Sequence, residues 1–173
     1  MSVIVETQRL AIRRLTLDDA AFVWELLNDA DFLTFIGDRG VRTVDDAIEY
    51  LNQGPLEMYE RLGFGLWCVE LRVTRTPMGI CGLLKREWLD DVDIGFAFLP
   101  EFRGKGYAFE ASRAVIAHAT DVLGIQRLAA IVAPANARSQ SLLGRLGMHY
   151  RTLVRAPNGD HDVQLFTLGI GET

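Results

Sequence analysis

Leu10, Ile12 and Leu15 stand among arginines in RLAIRRL, an alternation that predicts a first strand. Thr16-Leu-Asp-Asp predicts a helix start: Thr16 can accept from a first-turn N–H, and Asp18 and Asp19 complement the positive end of the helix dipole. Phe22, Val23, Leu26 and Leu27 then recur at helical spacing. Residues 29–42 carry Phe32, Phe35 and Ile36 with Gly37 and Gly40, an apolar loop that covers core or walls a cleft. Thr43 predicts a second cap, with Ala47, Ile48, Leu51 and Met58 on one face and a break at Gly54-Pro55.

Three strands are predicted next, at residues 65–71, 78–85 and 91–98, the first two joined as a hairpin by a polar turn around Thr74–Pro77. From Gly106 to Leu123 the positions Ala111, Val115, Ile116, Ala119, Val122 and Leu123 form one helical stripe, closed by Gly124. Leu128–Val132 suits a strand buried on both faces. Strand, helix and strand in this order predict a right-handed crossover and one parallel pair. Ala137–Leu146 is a shorter helix closed by Gly147. Residues 150–155 and 162–168 bracket Pro157-Asn158-Gly159-Asp160, a turn signal for a terminal hairpin. The expected architecture is mixed α/β, a mostly antiparallel sheet with one parallel pair and about four helices, as one domain over 1–173.

Composition narrows the chemistry. The chain has 173 residues, 49% of them apolar and 24% charged, which suits a folded domain with a sizeable core. A formal net charge of −5 argues against general nucleic-acid binding. Cys68 and Cys81 sit in strand-like apolar runs and are expected as buried thiols. The histidines at 118, 149 and 161 show no ligand spacing, so no metal is expected. Glu6 and Arg9 come too early for a signal-peptide apolar region, and no run approaches transmembrane length. A cytoplasmic protein without membrane partners is expected.

The stretch 96–110, FAFLPEFRGKGYAFE, carries the candidate chemistry. It passes from an apolar strand through a glycine-rich turn into a helix start, where backbone amides can face a phosphate. Close helix–strand packing explains glycines at a helix start equally well. Gly104 and Gly106 would let a ligand approach the amides, and Arg103 and Lys105 add charge beside them. No G-K-[ST] ending follows, which excludes a Walker loop, and two late glycines do not make a dinucleotide fingerprint. One strand later comes NARSQSLLGRLGM at 136–148.

Together these motifs resemble the GNAT N-acetyltransferase superfamily. RGKGYA resembles its [Q/R]-x-x-G-x-[G/A] acyl-CoA signature through Arg103, Gly106 and Ala108, and the Asn136–Ser139 helix ending Leu-Gly-Met resembles the motif that follows. TQRLAIRRLTLDDA at 7–20 and GDHDVQLFTL at 159–168 are similar to the branch that acetylates ribosomal-protein N-termini. The resemblance implies that acetyl-CoA is the co-substrate. Its pantetheine would lie along backbone groups of Phe96, Ala97 and Phe98, and its pyrophosphate on the amides of Gly104, Lys105, Gly106, Tyr107 and Ala108. Arg103, Lys105 and Arg138 would serve phosphates. Asn136 would touch the pantetheine arm, beside its plain role as an N-cap with Ser139 at N3.

The implied reaction is direct attack of a neutral amine on the thioester. A protein α-amine, with pKa about 7.7–8.0 against about 10.4 for lysine, is already partly neutral and needs little more than a carboxylate or a water relay. A backbone N–H of the strand before the turn can serve the oxyanion. Asp93 is the candidate base, against the alternative of a solvated strand-edge charge, with Glu87, Asp90 and Asp91 nearby. The tyrosine that many members use as acid is replaced by Leu143, which nominates Ser139, then Ser141. The acceptor is expected to be a protein N-terminus. A small amine, a polyamine or aminoglycoside, is the alternative, which the acidic run near 87–93 would suit. A CoA-binding module without transferase activity is a further alternative. A monomer or a homodimer, the latter through the terminal hairpin, is equally expected.

Overall fold

The computed structural model describes residues 2–157 and 161–169. In chain order the elements are β1 (Val3–Glu6), β2 (Leu10–Arg14), α1 (Ala20–Leu27), α2 (Val44–Gln53), α3 (Pro55–Leu62), β3 (Leu66–Leu71), β4 (Pro77–Leu84) and β5 (Val92–Phe98). These are followed by α4 (Tyr107–Asp121), β6 (Arg127–Val132), α5 (Ala137–Arg145), β7 (His149–Arg155) and β8 (Asp162–Gly169). One sheet takes all eight strands in the order β1-β2-β3-β4-β5-β6-β8-β7. Every neighbouring pair is antiparallel except β5–β6. The expected mixed fold and its parallel pair are therefore present, with five α-helices among the described residues where about four were expected.

Strand alternation divides the core into two layers. On β3, Trp67 and Val69 face the layer that contains Val115 and Ala119 of α4, whereas Cys68 faces Leu26 of α1 and Leu51 of α2. Both cysteines are free and buried, and burial pushes each thiol up to about 12. They are reduced core residues, as their apolar runs imply. Thr43 caps α2 in a capping box with Asp46, and the chain breaks at Gly54-Pro55 into α3. Met58 consequently belongs to α3 rather than to the face of α2.

Two features go beyond the sequence expectations. Strand β1 precedes the predicted first strand: its four residues sit on the sheet edge, two of them exposed, and show no alternation to detect. Asp19 does more than complement a dipole. It receives both terminal nitrogens of Arg13 at 2.8 and 2.9 Å, while Arg13 Nε donates to Glu70 at 3.0 Å. This buried triad fixes the entry to α1 against β2 and β3, with every charge paired. The terminal hairpin is present as β7 and β8, and Asn158–Asp160 of its predicted turn lie outside the described residues.

Candidate active site

The gap between β5 and β6 is the centre of the site. These strands pair only at Val92–Leu128 and Asp93–Ala129 and then diverge. Leu99 donates its amide to the Met78 carbonyl at 2.9 Å, which sets the hydrogen-bonded positions between β4 and β5. Counting back along the register, Ala97 opposite Ile80 and Gly95 opposite Gly82 also turn their backbone groups toward β4. Phe96 and Phe98 turn theirs the other way, into the gap. That strand edge is unpaired and ready to bond an extended ligand. Gly79 keeps β4 against it: a Cβ there would lie 2.4 Å from the Ala97 carbonyl oxygen.

Beyond β5 the chain turns into α4 with Gly104 at φ +75° and Gly106 at φ +82°, a left-handed backbone that glycine adopts without strain. The first amide of this helix to find a backbone acceptor is that of Glu110, on Gly106. The amides of Gly106, Tyr107, Ala108 and Phe109 have no acceptor among the described residues. Four free N–H groups at the positive end of a 15-residue helix fit an anion such as a pyrophosphate.

A clamp invisible in the sequence holds this turn. Arg9, between β1 and β2, donates to the Lys105 carbonyl at 2.9 Å and to Glu110 at 2.7 Å, and its guanidinium lies 4.4 Å from the Tyr107 ring centroid. Thr7 donates its hydroxyl to the same carboxylate, which this clamp and its hydrogen bonds hold below its usual range against the opposing effect of burial. A hundred residues of chain separate the partners, so no local spacing announces them.

A cleft of about 820 Å³ runs from this turn along Phe96–Phe98 to the start of α5. Arg103, Gly104, Gly106, Tyr107, Ala108, Asn136, Arg138 and Ser139 all line it, and Lys105 does not. Arg103 is already engaged, bonded to Asp29 at 2.5 Å and Asp31 at 2.9 Å. It ties the segment before the short π-helical turn Phe32–Ile36 to the glycine turn. Lys105 and Arg138 form no ion pair among the described residues. Arg145, which the sequence did not single out, joins the wall and stacks on Phe109 at 4.6 Å. Asn136 caps α5 by accepting the Ser139 amide at 3.2 Å, which leaves its side-chain NH2 without a partner among the described residues. Gln140 holds the preceding loop through the Ala133 and Pro134 carbonyls.

A second cavity, of about 500 Å³, meets the first at Phe96, Ala97, Asn136 and Ser139. The apolar 29–42 segment serves both of its expected purposes: Phe32 is buried in the core, while Phe35 and Ile36 wall both cavities. Asp93 lines the second cavity and is not a solvated edge charge. It is 1% exposed, its Oδ2 accepts from Arg86 Nε at 3.2 Å, and its Oδ1 has no partner among the described residues. Burial raises its pKa, opposed by the charges of Arg86 and Lys85. Glu87, Asp90 and Asp91 stay off both walls, and Asp91 pairs with Arg127 at 3.4 Å. The acidic run therefore contributes one carboxylate, not a cluster. Ser139 lines both cavities and Ser141 only the first, while Leu143 is buried beneath them. No group of three or more His, Cys, Asp or Glu residues placed to hold a metal occurs among the described residues, and none of their helices is long and apolar enough to cross a membrane.

The sequence matches the family model described as "Acetyltransferase (GNAT) domain" over residues 9–149. It is 26% identical over 153 residues to the uncharacterized N-acetyltransferase YoaA of Bacillus subtilis, covering 88% of this chain and 86% of that one. Among solved structures, a GNAT-family acetyltransferase from Bacillus anthracis superposes with a TM-score of 0.80 at 24% identity, covering 99% of this chain and 100% of that one. RimL, a ribosomal L7/L12 alpha-N-protein acetyltransferase in complex with coenzyme A, superposes at 0.81 with 16% identity, covering 97% and 98%. At these identities the two structures speak for the fold.

Proposed function

The chain belongs to the GNAT acetyltransferase family and is an acetyl-CoA-dependent N-acetyltransferase; from that premise we propose that its acceptor is a protein N-terminal α-amine. The observation that carries this reading is Asp93, a buried carboxylate with one unpartnered oxygen on the wall of the cavity that meets the donor cleft. A single carboxylate suits an amine of pKa about 7.7–8.0, already partly neutral, better than a lysine near 10.4. The shared fold with RimL, which acts on a protein N-terminus by its own name, supports the same choice. The whole of 1–173 acts as one catalytic domain.

Acetyl-CoA supplies an acetyl thioester: the acceptor nitrogen bonds to its carbonyl carbon, the C–S bond breaks, and CoA leaves as thiolate. The Phe96 amide, turned into the gap, donates to the carbonyl oxygen as charge develops there. Asp93 accepts the proton that the nitrogen sheds, directly or through one water. Ser139, where the two cavities meet, donates its hydroxyl to the departing sulfur. A thiolate of pKa about 8.5 leaves without a strong acid, so a serine suffices where Leu143 replaces tyrosine. The amides of Gly106–Phe109 hold the pyrophosphate, helped by Arg138 on the cleft wall and by Lys105 beside the turn but off that wall, neither with an ion pair among the described residues, while Arg103 acts through its tether to Asp29 and Asp31. Asn136 offers its free NH2 to the pantetheine arm.

Free-thiol release should be followed with acetyl-CoA and a panel of N-terminal peptides beside polyamines and aminoglycosides. Turnover of peptides, with the acetyl group on the α-amine by mass spectrometry, is expected. Preference for lysine or polyamine nitrogens would refute the acceptor reading, and CoA binding without thiol release would leave a binding module.

A further inference from the structure

The acceptor cavity has a polarity of its own. Its formally charged wall residues are Asp38, Arg39, Arg86 and Asp93. Asp38 is neutralised by Arg42, which bonds both of its oxygens at 2.9 and 2.5 Å. Asp93 shares its charge with Arg86 Nε, and neither terminal nitrogen of Arg86 has a partner among the described residues. Arg39 has no hydrogen bond or ion pair among the described residues. On the wall itself two guanidiniums stand against two carboxylates, and because Arg42 takes up Asp38, Arg39 is left without an acidic partner among the described residues. Tyr50, half-buried, lines the same wall as Arg39 and Arg86, with its hydroxyl unbonded among the described residues. Burial raises the pKa of that hydroxyl, opposed by the charges of Arg39 and Arg86. One O–H and two guanidiniums with spare donors on a common cavity wall make a receptor for a carboxylate.

We infer that Arg39, Tyr50 and Arg86 form an anion subsite of the acceptor cavity, and that the acceptor is an amine carrying a carboxylate close to its nitrogen. This rests on the transferase reading above. Arg86 links the subsite to Asp93, so the carboxylate seats on one side of Arg86 while the amine reaches the base on the other. The carboxylate has two sources, the α-carboxylate of a free amino acid or an acidic side chain next to a peptide N-terminus.

Matched acceptors separate these sources. Thiol release should be compared for free serine against serinamide, for Ser-Asp-Ala amide against Ser-Asn-Ala amide, and for spermidine. The carboxylate member of at least one pair should exceed its neutral partner at least tenfold in kcat/KM, and the pair that responds identifies the source. Arg39→Gln should reduce that ratio roughly ten- to hundredfold, the worth of a charge-assisted bond, with Arg39→Lys restoring part of it and Tyr50→Phe lowering it less. CoA affinity, measured by titration, should match the parent in all three variants and reports that they are folded. Equal rates within both pairs, a preference for spermidine, or an Arg39→Gln variant that slows charged and neutral acceptors alike would overturn the subsite alone. No thiol release with any acceptor would overturn the transferase reading and this inference with it.

Discussion

Replacing Asp93 by asparagine separates a catalytic carboxylate from a structural ion pair. The attraction between Asp93 and Arg86 at 3.2 Å is worth about 5 kcal/mol at an effective dielectric near 20. Against it stands the removal from water of a carboxylate that is 1% exposed, a penalty of several kcal/mol per ion. Oδ1 has no partner among the described residues to offset that penalty. Burial outweighs the arginine here, since the carboxyl is raised and not lowered. The amide keeps an acceptor for Arg86, whose side chain, 29% exposed, can rehydrate. Asp93→Asn should therefore leave the unfolding free energy unchanged or raise it by about 1–2 kcal/mol, with Tm moving roughly 2–4 °C per kcal/mol.

The pH dependence has a definite sign. Between the unfolded carboxylate value near 3.9 and the raised folded value, the native state binds more protons, so stability falls as pH rises through that window. The asparagine variant lacks this slope, and its gain in Tm should be larger at pH 8 than at pH 4. Activity should move the opposite way, with kcat/KM for an α-amine acceptor falling about 10²–10⁴-fold. Its logarithm should rise with slope 1 at low pH in the variant, from the acceptor amine alone, against a slope approaching 2 in the parent. A variant that loses about 3–5 kcal/mol at pH 8, as a broken structural pair would, and keeps its kcat/KM would refute the assignment.

Three further outcomes test the donor side. Gly106→Val forces a β-branched residue into φ +82° with its Cβ about 3.3 Å from Arg9 and should cost about 1–2 kcal/mol of stability; calorimetric titration should show CoA affinity reduced at least tenfold on the order expected for lost amide contacts, and unchanged affinity would sink the cradle. Arg9→Gln removes a clamp whose side chain is 40% exposed, so solvent screening limits the loss of stability to about 1 kcal/mol; the acetyl-CoA KM should rise several-fold while the acceptor KM holds. Ser139→Ala should lower kcat by less than about tenfold, since the thiolate leaves unaided with pKa near 8.5, and the deficit should shrink as pH rises; a loss above a thousandfold would make Ser139 an essential acid.

The order of elements, the parallel pair and the glycine turn were legible because each rests on local signals: a continuous apolar run along 78–84, a helical stripe from Ala111 to Leu123, glycines at 104 and 106. Strand β1 escaped because four edge residues carry no period. The Arg9–Glu110 clamp escaped for a different reason, since its partners lie 101 residues apart and no local pattern around either names the other. The acceptor wall belongs to the second kind. Arg39 lies in a loop, Tyr50 on α2 and Arg86 after β4, and each alone reads as an ordinary surface residue. What the sequence did offer there, the acidic run at 87–93, pointed toward a cation. Folding leaves Glu87, Asp90 and Asp91 off the cavity wall and puts Arg86 on it beside Asp93. On the proposed reading, donor recognition is compact in the chain because consecutive amides would receive a pyrophosphate. Acceptor recognition is dispersed because the sheet gathers side chains from separate loops above the same gap.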